Sequence, residues 1–235
     1  SGGGAGIQAD LKTFQELKVF GTSVITALTA QNTLGVHGVY PVEAAFVEAQ
    51  LTAILADFDV KAIKTGMLFD ASIIRTIANQ LRKINIPLVI DPVMIAKGGQ
   101  SLLLQEAVSA FKQYLLPLST VCTPNIPEAE ILTGIPIKTQ QDIKKAAYIL
   151  LEQGVKCVVM KGGHLQGNIA TDAIFQKNKP PFYVETERFE TPHTHGTGCT
   201  FSAALTAGLA KGMNLREAII EAKRFVDAAI KHPLN

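Results

Sequence analysis

The stretch of this chain with the most chemistry is His195-Gly196-Thr197-Gly198-Cys199-Thr200, followed at once by Phe201-Ser202-Ala203-Ala204-Leu205-Thr206-Ala207. Glycines let the backbone turn tightly and approach a ligand, and the small apolar run favours a helix. A helix beginning there aims unpaired amide N–H groups and the positive end of its dipole at one point, which attracts phosphate. A thiol in its first turn, Cys199, would feel the same field, which lowers a thiol pKa and makes it a better base or nucleophile. The run reads equally as a helix cap carrying a buried cysteine, so the rest of the chain has to decide. Gln31-Asn32, Asp91, Asn125 and Lys161 each end a strand-like stretch. In open α/β sheets ligands collect at the carboxyl ends of strands.

An amide-lined anion pocket, a lysine, a candidate base and carboxylates are the parts that phosphoryl transfer needs, because positioning and charge neutralisation supply most of that catalysis. Gly196, Thr197, Gly198 and Cys199 would hold the transferring γ-phosphoryl oxygens, and Cys199 would take the acceptor's proton. Lys161 would neutralise ATP phosphates. Asn125 and Glu128, three residues apart at a helix start, offer oxygen ligands for hydrated Mg²⁺. Other chemistries lack their parts. There is no GxxxxGK[ST] loop and no GxSxG elbow, and Gly196 and Gly198 are followed by Phe201 where GxGxxG needs glycine. His193 and His195 alternate without a third ligand, a weak metal signal.

The elements that must position these groups alternate along the chain. Ile7, Leu11, Phe14 and Leu17 repeat at helical spacing behind the glycine loop Ser1–Gly6, which reads as a ligand loop or as a flexible linker. A strand is expected across Ser23-Val24-Ile25-Thr26, ending near Gln31-Asn32, then a helix over 41–56 with Pro41 in its first turn. The pattern continues with a strand at 62–64, a helix at 72–84 and a strand at 87–90. A strand at 120–122, helices over 126–133 and 140–153 and a strand at 155–160 follow. Residues 169–190 read as a hairpin or edge strands turning at 177–181. The last helix, 215–231, opens with Asn214 and Glu217 spaced as a capping box. No linker divides these 235 residues, so one α/β domain over 1–235 is expected, with a mainly parallel sheet covered on both faces.

Composition narrows the class. The net charge of +2 and charged fraction of 18% give no basic stripe for nucleic acid. No apolar run approaches the roughly 18 residues of a membrane span, and no signal peptide opens the sequence. Three cysteines, Cys122, Cys157 and Cys199, without CxxC spacing disfavour a disulfide framework or zinc knuckle. A cytoplasmic protein is expected.

Several segments together resemble the bacterial hydroxymethylpyrimidine and phosphomethylpyrimidine kinases of thiamine synthesis, members of the ribokinase-like superfamily. They are Gly3-Gly4-Ala5-Gly6-Ile7-Gln8-Ala9-Asp10-Leu11-Lys12-Thr13-Phe14, residues 24–32, Lys64-Thr65-Gly66-Met67-Leu68, Asp91-Pro92-Val93-Met94, Thr123-Pro124-Asn125-Ile126-Pro127-Glu128-Ala129, Met160-Lys161-Gly162-Gly163-His164 and residues 195–200. The resemblance runs in order along essentially the whole chain. It implies a ribokinase-like three-layer αβα sandwich, usually homodimeric, using ATP and Mg²⁺. It also implies phosphorylation of 4-amino-5-hydroxymethyl-2-methylpyrimidine and then of its monophosphate. The pyrimidine pocket it implies is Ala5, Gln31, Met67 and Val93, with Asp10 nearby. It matches Asn125 and Glu128 to the superfamily's metal motif and Lys161 to a phosphate-binding lysine. Gly196–Gly198 match the anion hole, and Cys199 stands where sugar kinases of the superfamily carry an aspartate base. Family members also begin with a strand ahead of the glycine loop and continue into a Gly-Pro-Val-containing tail, neither of which is in this sequence.

Pyridoxal kinases share most of these motifs and are the nearest alternative; a non-catalytic binding module of the same fold is a remoter one. Gln31 discriminates among substrates. Its amide offers a donor and an acceptor side by side, matching an aminopyrimidine edge, where a pyridoxal ring carries a phenolic oxygen. Adenine contacts are expected only loosely, from residues 191–195 and the helix around 223–226.

Overall fold

Alternation along short apolar strands sets the architecture. The computed structural model describes residues 2–32, 35–94, 105–162, 169–189 and 194–232. In chain order the first elements are α1 (Gly6–Glu16), β1 (Ala27–Gln31), β2 (Val36–Pro41), α2 (Ala44–Asp57), β3 (Ile63–Thr65), α3 (Ala71–Leu81) and β4 (Leu88–Ile90). Then come α4 (Gln105–Ala110), which runs through a π turn and a 3₁₀ turn to Leu118, β5 (Val121–Cys122), α5 (Ile126–Thr133), α6 (Gln140–Glu152) and β6 (Cys157–Met160). The chain closes with β7 (Ile169–Gln176), β8 (Phe182–Glu187), α7 (Thr197–Ala210) and α8 (Leu215–Lys231).

The main sheet has the order β3-β4-β5-β6-β7-β8; β3 to β6 are parallel, and β7 and β8 add antiparallel at the edge. Successive strand residues face opposite sides. Leu88, Ile90, Cys122, Val158 and Met160 therefore pack with α2 to α6, while Val89, Val121, Cys157 and Val159 pack against α7 and α8. Those two cores make the three αβα layers. A separate antiparallel pair, β1–β2, stands apart from the main sheet.

Most expected elements are present, and the departures have physical reasons. The ladder begins at Ala27, not across Ser23–Thr26, because the Gln50 side chain takes up the Ile25 backbone: Ile25 N donates to Gln50 Oε1 at 2.9 Å, and Gln50 Nε2 donates to Ile25 O at 3.0 Å. Pro41 ends β2 instead of opening α2, which starts at Ala44. Neither β2 nor the helical stretch from Gln105 to Leu118 was expected. Asn214 caps α8 by accepting from Glu217 N at 3.0 Å, but reciprocal capping boxes stand instead at Asn125/Glu128 and Thr139/Asp142.

Candidate active site

The strand ends and the start of α7 meet over one cleft of about 1420 Å³. Ala5, Asp10, Gln31, Met67, Val93, Asn125, Glu128, Lys161, Gly196, Thr197, Gly198 and Cys199 all line it. These twelve expected site residues thus border a single cleft. Gly163, His164, His193 and the rest of 190–193 lie outside the described residues. Lys223 and Val226, expected loosely near a nucleotide base, do not line the cleft; Lys223 is buried in an ion pair with Asp172 at 2.8 Å.

At the start of α7, Gly196 caps the helix in a left-handed conformation, φ +83°. A Cβ there would overlap the Gly4 carbonyl, so glycine is what allows the N-terminal loop to lie directly over the helix start. Thr197 N donates to Thr194 O at 3.4 Å, while the Gly198 and Cys199 amides precede the first i−4 bond, Thr200 N to Gly196 O. Facing them, Lys161 Nζ donates to Asp91 Oδ1 at 3.1 Å. Asp91 follows β4, is 2% exposed and also accepts from Ser202 Oγ of α7 at 3.1 Å and Thr123 Oγ1 at 3.4 Å. One carboxylate thereby ties together three strand ends and α7. Burial opposes ionisation of Asp91, but Lys161 and Lys64 outweigh it and hold the carboxyl below its usual range. Lys161 holds its proton above the usual lysine range: Asp91 and then Glu128 outweigh the cost of burial.

Asn125 and Glu128 hold each other. Asn125 Oδ1 accepts from Glu128 N at 2.9 Å, and Glu128 Oε2 accepts from Asn125 N at 2.8 Å. The second Glu128 oxygen is not used by the box. Burial pushes this carboxyl up to about 7 against the opposing pull of Lys161.

Cys199 sits in the first turn of α7, and Gly6 N, the first amide of α1, donates to its Sγ at 3.5 Å. Two helix N-termini converge on one half-buried sulfur. Even so, burial pushes the thiol above its ordinary value, with Lys64 pulling the other way. The net direction is thus opposite to the one expected from the helix field alone: desolvation, with Asp91 and Asp10, outweighs Lys64 and the Gly6 hydrogen bond. Lys64 Nζ meets both oxygens of Asp10 at 2.8 Å. Burial raises Asp10 despite that ammonium. Gln31 lies at the end of β1 with Nε2 3.5 Å from His195 Nε2 and Oε1 3.4 Å from Thr29 Oγ1.

Sequence reasoning placed Asp91 at a strand end without giving it a role and passed over Lys64 and Ser202. The run Asp91-Pro92 straight after an all-apolar strand was the available signal for the first. Nothing local marks the other two.

The phosphomethylpyrimidine kinase family model matches residues 1–235. The chain belongs to that family. It is 56% identical to the hydroxymethylpyrimidine/phosphomethylpyrimidine kinase of Haemophilus influenzae, over 100% of this chain and 89% of that protein. Phosphomethylpyrimidine kinase from Clostridium difficile 630 superimposes with a TM-score of 0.85 at 43% identity, covering 97% of this chain and 94% of the other. Pyridoxal kinase from Staphylococcus aureus in complex with AMP-PCP and pyridoxal gives a TM-score of 0.90 at 38% identity, covering 99% and 85%. Similarity to the latter is that of a structural relative, so the ribokinase-like sandwich and kinase chemistry are common ground and the pyrimidine reading is favoured.

Proposed function

We propose that this cleft transfers the γ-phosphoryl group of ATP to the hydroxymethyl oxygen of 4-amino-5-hydroxymethyl-2-methylpyrimidine, and then to the resulting monophosphate, in thiamine biosynthesis. The observation that carries the reading is the meeting of the α7 N-terminus, Lys161, Cys199 and Gln31 on one cleft. The donor set fits a phosphoryl group: a Cβ on Gly198 would stand 3.2 Å from Lys161 Nζ, so glycine keeps open the space between amides and ammonium. In that space the amides of α7 and Lys161 stabilise charge on the transferring group. Cys199, as thiolate, accepts the hydroxymethyl proton as its oxygen attacks phosphorus. Gln31 pairs with the aminopyrimidine edge, beside Ala5, Met67, Val93 and Asp10.

A buried carboxyl raised to about 7 with one oxygen outside its capping box fits a hydrated divalent cation. Glu128, with Asn125 beside it, would hold Mg²⁺, which supplies charge neutralisation to the nucleotide phosphates when bound.

The reading extends to one kinase domain over residues 1–235, working in the cytoplasm on small molecules rather than on nucleic acid or membranes. Three free cysteines support an intracellular setting, and among the described residues no helix is long and apolar enough to cross a membrane. A homodimer is part of the proposal. A two-stranded sheet is marginal alone in water, yet β1–β2 presents the cross-strand pair Leu28 and Tyr40 at 54% and 72% exposure, with Phe46 of α2 at 62%. A second copy covering that face would brace the strand that carries Gln31.

The test is a coupled assay of ATP consumption, with product masses, on the alcohol, its monophosphate and pyridoxal. Phosphorylation of both pyrimidines is expected, with pyridoxal the poorer substrate. Failure on both pyrimidines would overturn the reading.

A further inference from the structure

Lys64 lies in the middle of β3 with its side chain only 3% exposed. A buried ammonium loses its hydration and is tolerated only where carboxylates replace it. Asp10 does so with both oxygens, each 2.8 Å from Nζ. The pair is built into the acceptor end of the site. Asp10 comes one helical turn after Gly6, whose N–H donates to Cys199 Sγ, and both α1 and β3 pack against α7, which carries that cysteine. Lys64, Asp10 and Cys199 line the same cleft. Among the described residues, the other buried cation lining the cleft, Lys161, is committed to Asp91.

We propose that Lys64 is a positioning residue for the proton transfer at Cys199: clamped on Asp10, its ammonium supplies the fixed positive charge against which the thiolate forms. The two helix N-termini contribute partial charges, and the Lys64 ammonium adds a full one that opposes the desolvation of the thiol. The coupling is mutual. Burial opposes the charge on Lys64, but Cys199 in its thiolate form, Asp10 and Asp91 outweigh it and raise the hold of Lys64 on its proton. In the step itself, the acceptor hydroxyl proton passes to the Cys199 sulfur while the oxygen bonds to the γ-phosphorus. The bond from that phosphorus to the β–γ bridging oxygen breaks and ADP leaves; Lys64 keeps its proton throughout. The inference rests on Cys199 being the base.

The experiment is the pH dependence of iodoacetamide alkylation at Cys199 in the full chain, followed by peptide mass spectrometry without nucleotide or pyrimidine. Folded Lys64→Met should show the apparent thiol pKa moved up by about one unit or more, so that alkylation at a fixed pH below it slows about tenfold. Lys64→Arg keeps the charge and should fall closer to wild type than to Lys64→Met. A Lys64→Met curve that overlays wild type, or a Lys64→Arg curve that overlays Lys64→Met, overturns the proposal. Should Lys64→Met fail to fold because Asp10 is left unpaired, Asp10→Asn is compared with Asp10→Asn/Lys64→Met, which strands no carboxylate. The double variant should show the same upward shift relative to the single one, and no shift again overturns the proposal. Since no substrate is present, an absent shift counts against Lys64 alone, whereas an error in the kinase reading shows as absent turnover in the wild type.

Discussion

Gly198 faces the Lys161 ammonium so closely that a Cβ would stand 3.2 Å from Nζ and 3.8 Å from Asp91 Oδ2. The residue lies within α7, where alanine fits the backbone at least as well as glycine. On the proposed reading, local stability and catalysis pull in opposite directions at this position, which makes it a direct probe of the proposed phosphate cradle.

Gly198→Ala should leave the thermal midpoint unchanged or slightly higher, because alanine is favoured over glycine in a helix by about 1 kcal/mol. Turnover should fall by about 10²-fold, the usual scale for one preorganised donor at a developing charge, because the added methyl crowds the Lys161 ammonium out of place. Unfolding curves and steady-state kinetics on the same preparation check both halves. A variant that is stable and fully active would move the phosphoryl group away from Gly198.

Glu128 should make the metal requirement depend on pH. With its carboxyl raised to about 7, the proton competes with Mg²⁺ below that value. The Mg²⁺ concentration for half-maximal turnover should climb as pH falls below about 7, by up to about tenfold per unit. The metal-free protein behaves in the matching way. Its folded-state carboxyl is raised, so the stability contribution of the protonated form is complete below the unfolded value of 4.5 and lost as pH rises through about 7. Glu128→Gln should need more Mg²⁺ at every pH and flatten both dependences. Overlaying Mg²⁺ titrations for variant and wild type would remove Glu128 from the metal site.

How far the sequence reaches can be judged from particular residues. The helix spans over 126–133 and 215–231 were legible because periodic apolar residues and Asn caps agree there. The two faces of the sheet were legible because strands such as β4 and β6 are apolar throughout, as burial on both sides demands. β2 was not: Val36–Pro41 contains glycine and proline and is half exposed, so its pairing with β1 comes from tertiary context. In the site, the motif residues were legible as types at strand ends. The clamp between Lys64 and Asp10 was not, since the partners are 54 positions apart and neither carries a local signal. The direction of the Cys199 shift was misread for a related reason: a helix start is visible in sequence, whereas the depth of burial is a property of the folded assembly.

Gln31 should govern ring choice. Its two long contacts, to His195 at 3.5 Å and Thr29 at 3.4 Å, orient the amide at the end of β1. Gln31→Leu leaves the polar edge of the aminopyrimidine unpaired, at about 1–3 kcal/mol for each buried group. Pyridoxal does not need that donor–acceptor pair and should lose less. The ratio of specificity constants, pyrimidine over pyridoxal, should fall about tenfold or more. An unchanged ratio would return Gln31 to the scaffold.

Cys199 should matter more for the first phosphorylation than for the second. The hydroxymethyl group must lose a proton to attack, whereas a phosphate monoester, with a second pKa near 6, already offers an anionic oxygen at neutral pH. Cys199→Ala should therefore lower turnover of the alcohol by roughly 10²–10⁴-fold, the value of a positioned base. The monophosphate should lose far less and ATP affinity should stay close to wild type. Because burial raises the thiol, the rate on the alcohol should climb with pH through the neutral range as the thiolate fraction grows. Cys199→Asp should recover part of the rate and lack that slope, its carboxylate being already ionised. In wild type, Cys199 should alkylate faster than Cys122 and Cys157, which are fully buried, the latter pushed up to about 12. ATP with the pyrimidine should protect it. If Cys199→Ala slows both phosphorylations equally, the thiol supports the anion hole by packing and the amides of α7 carry the catalysis alone.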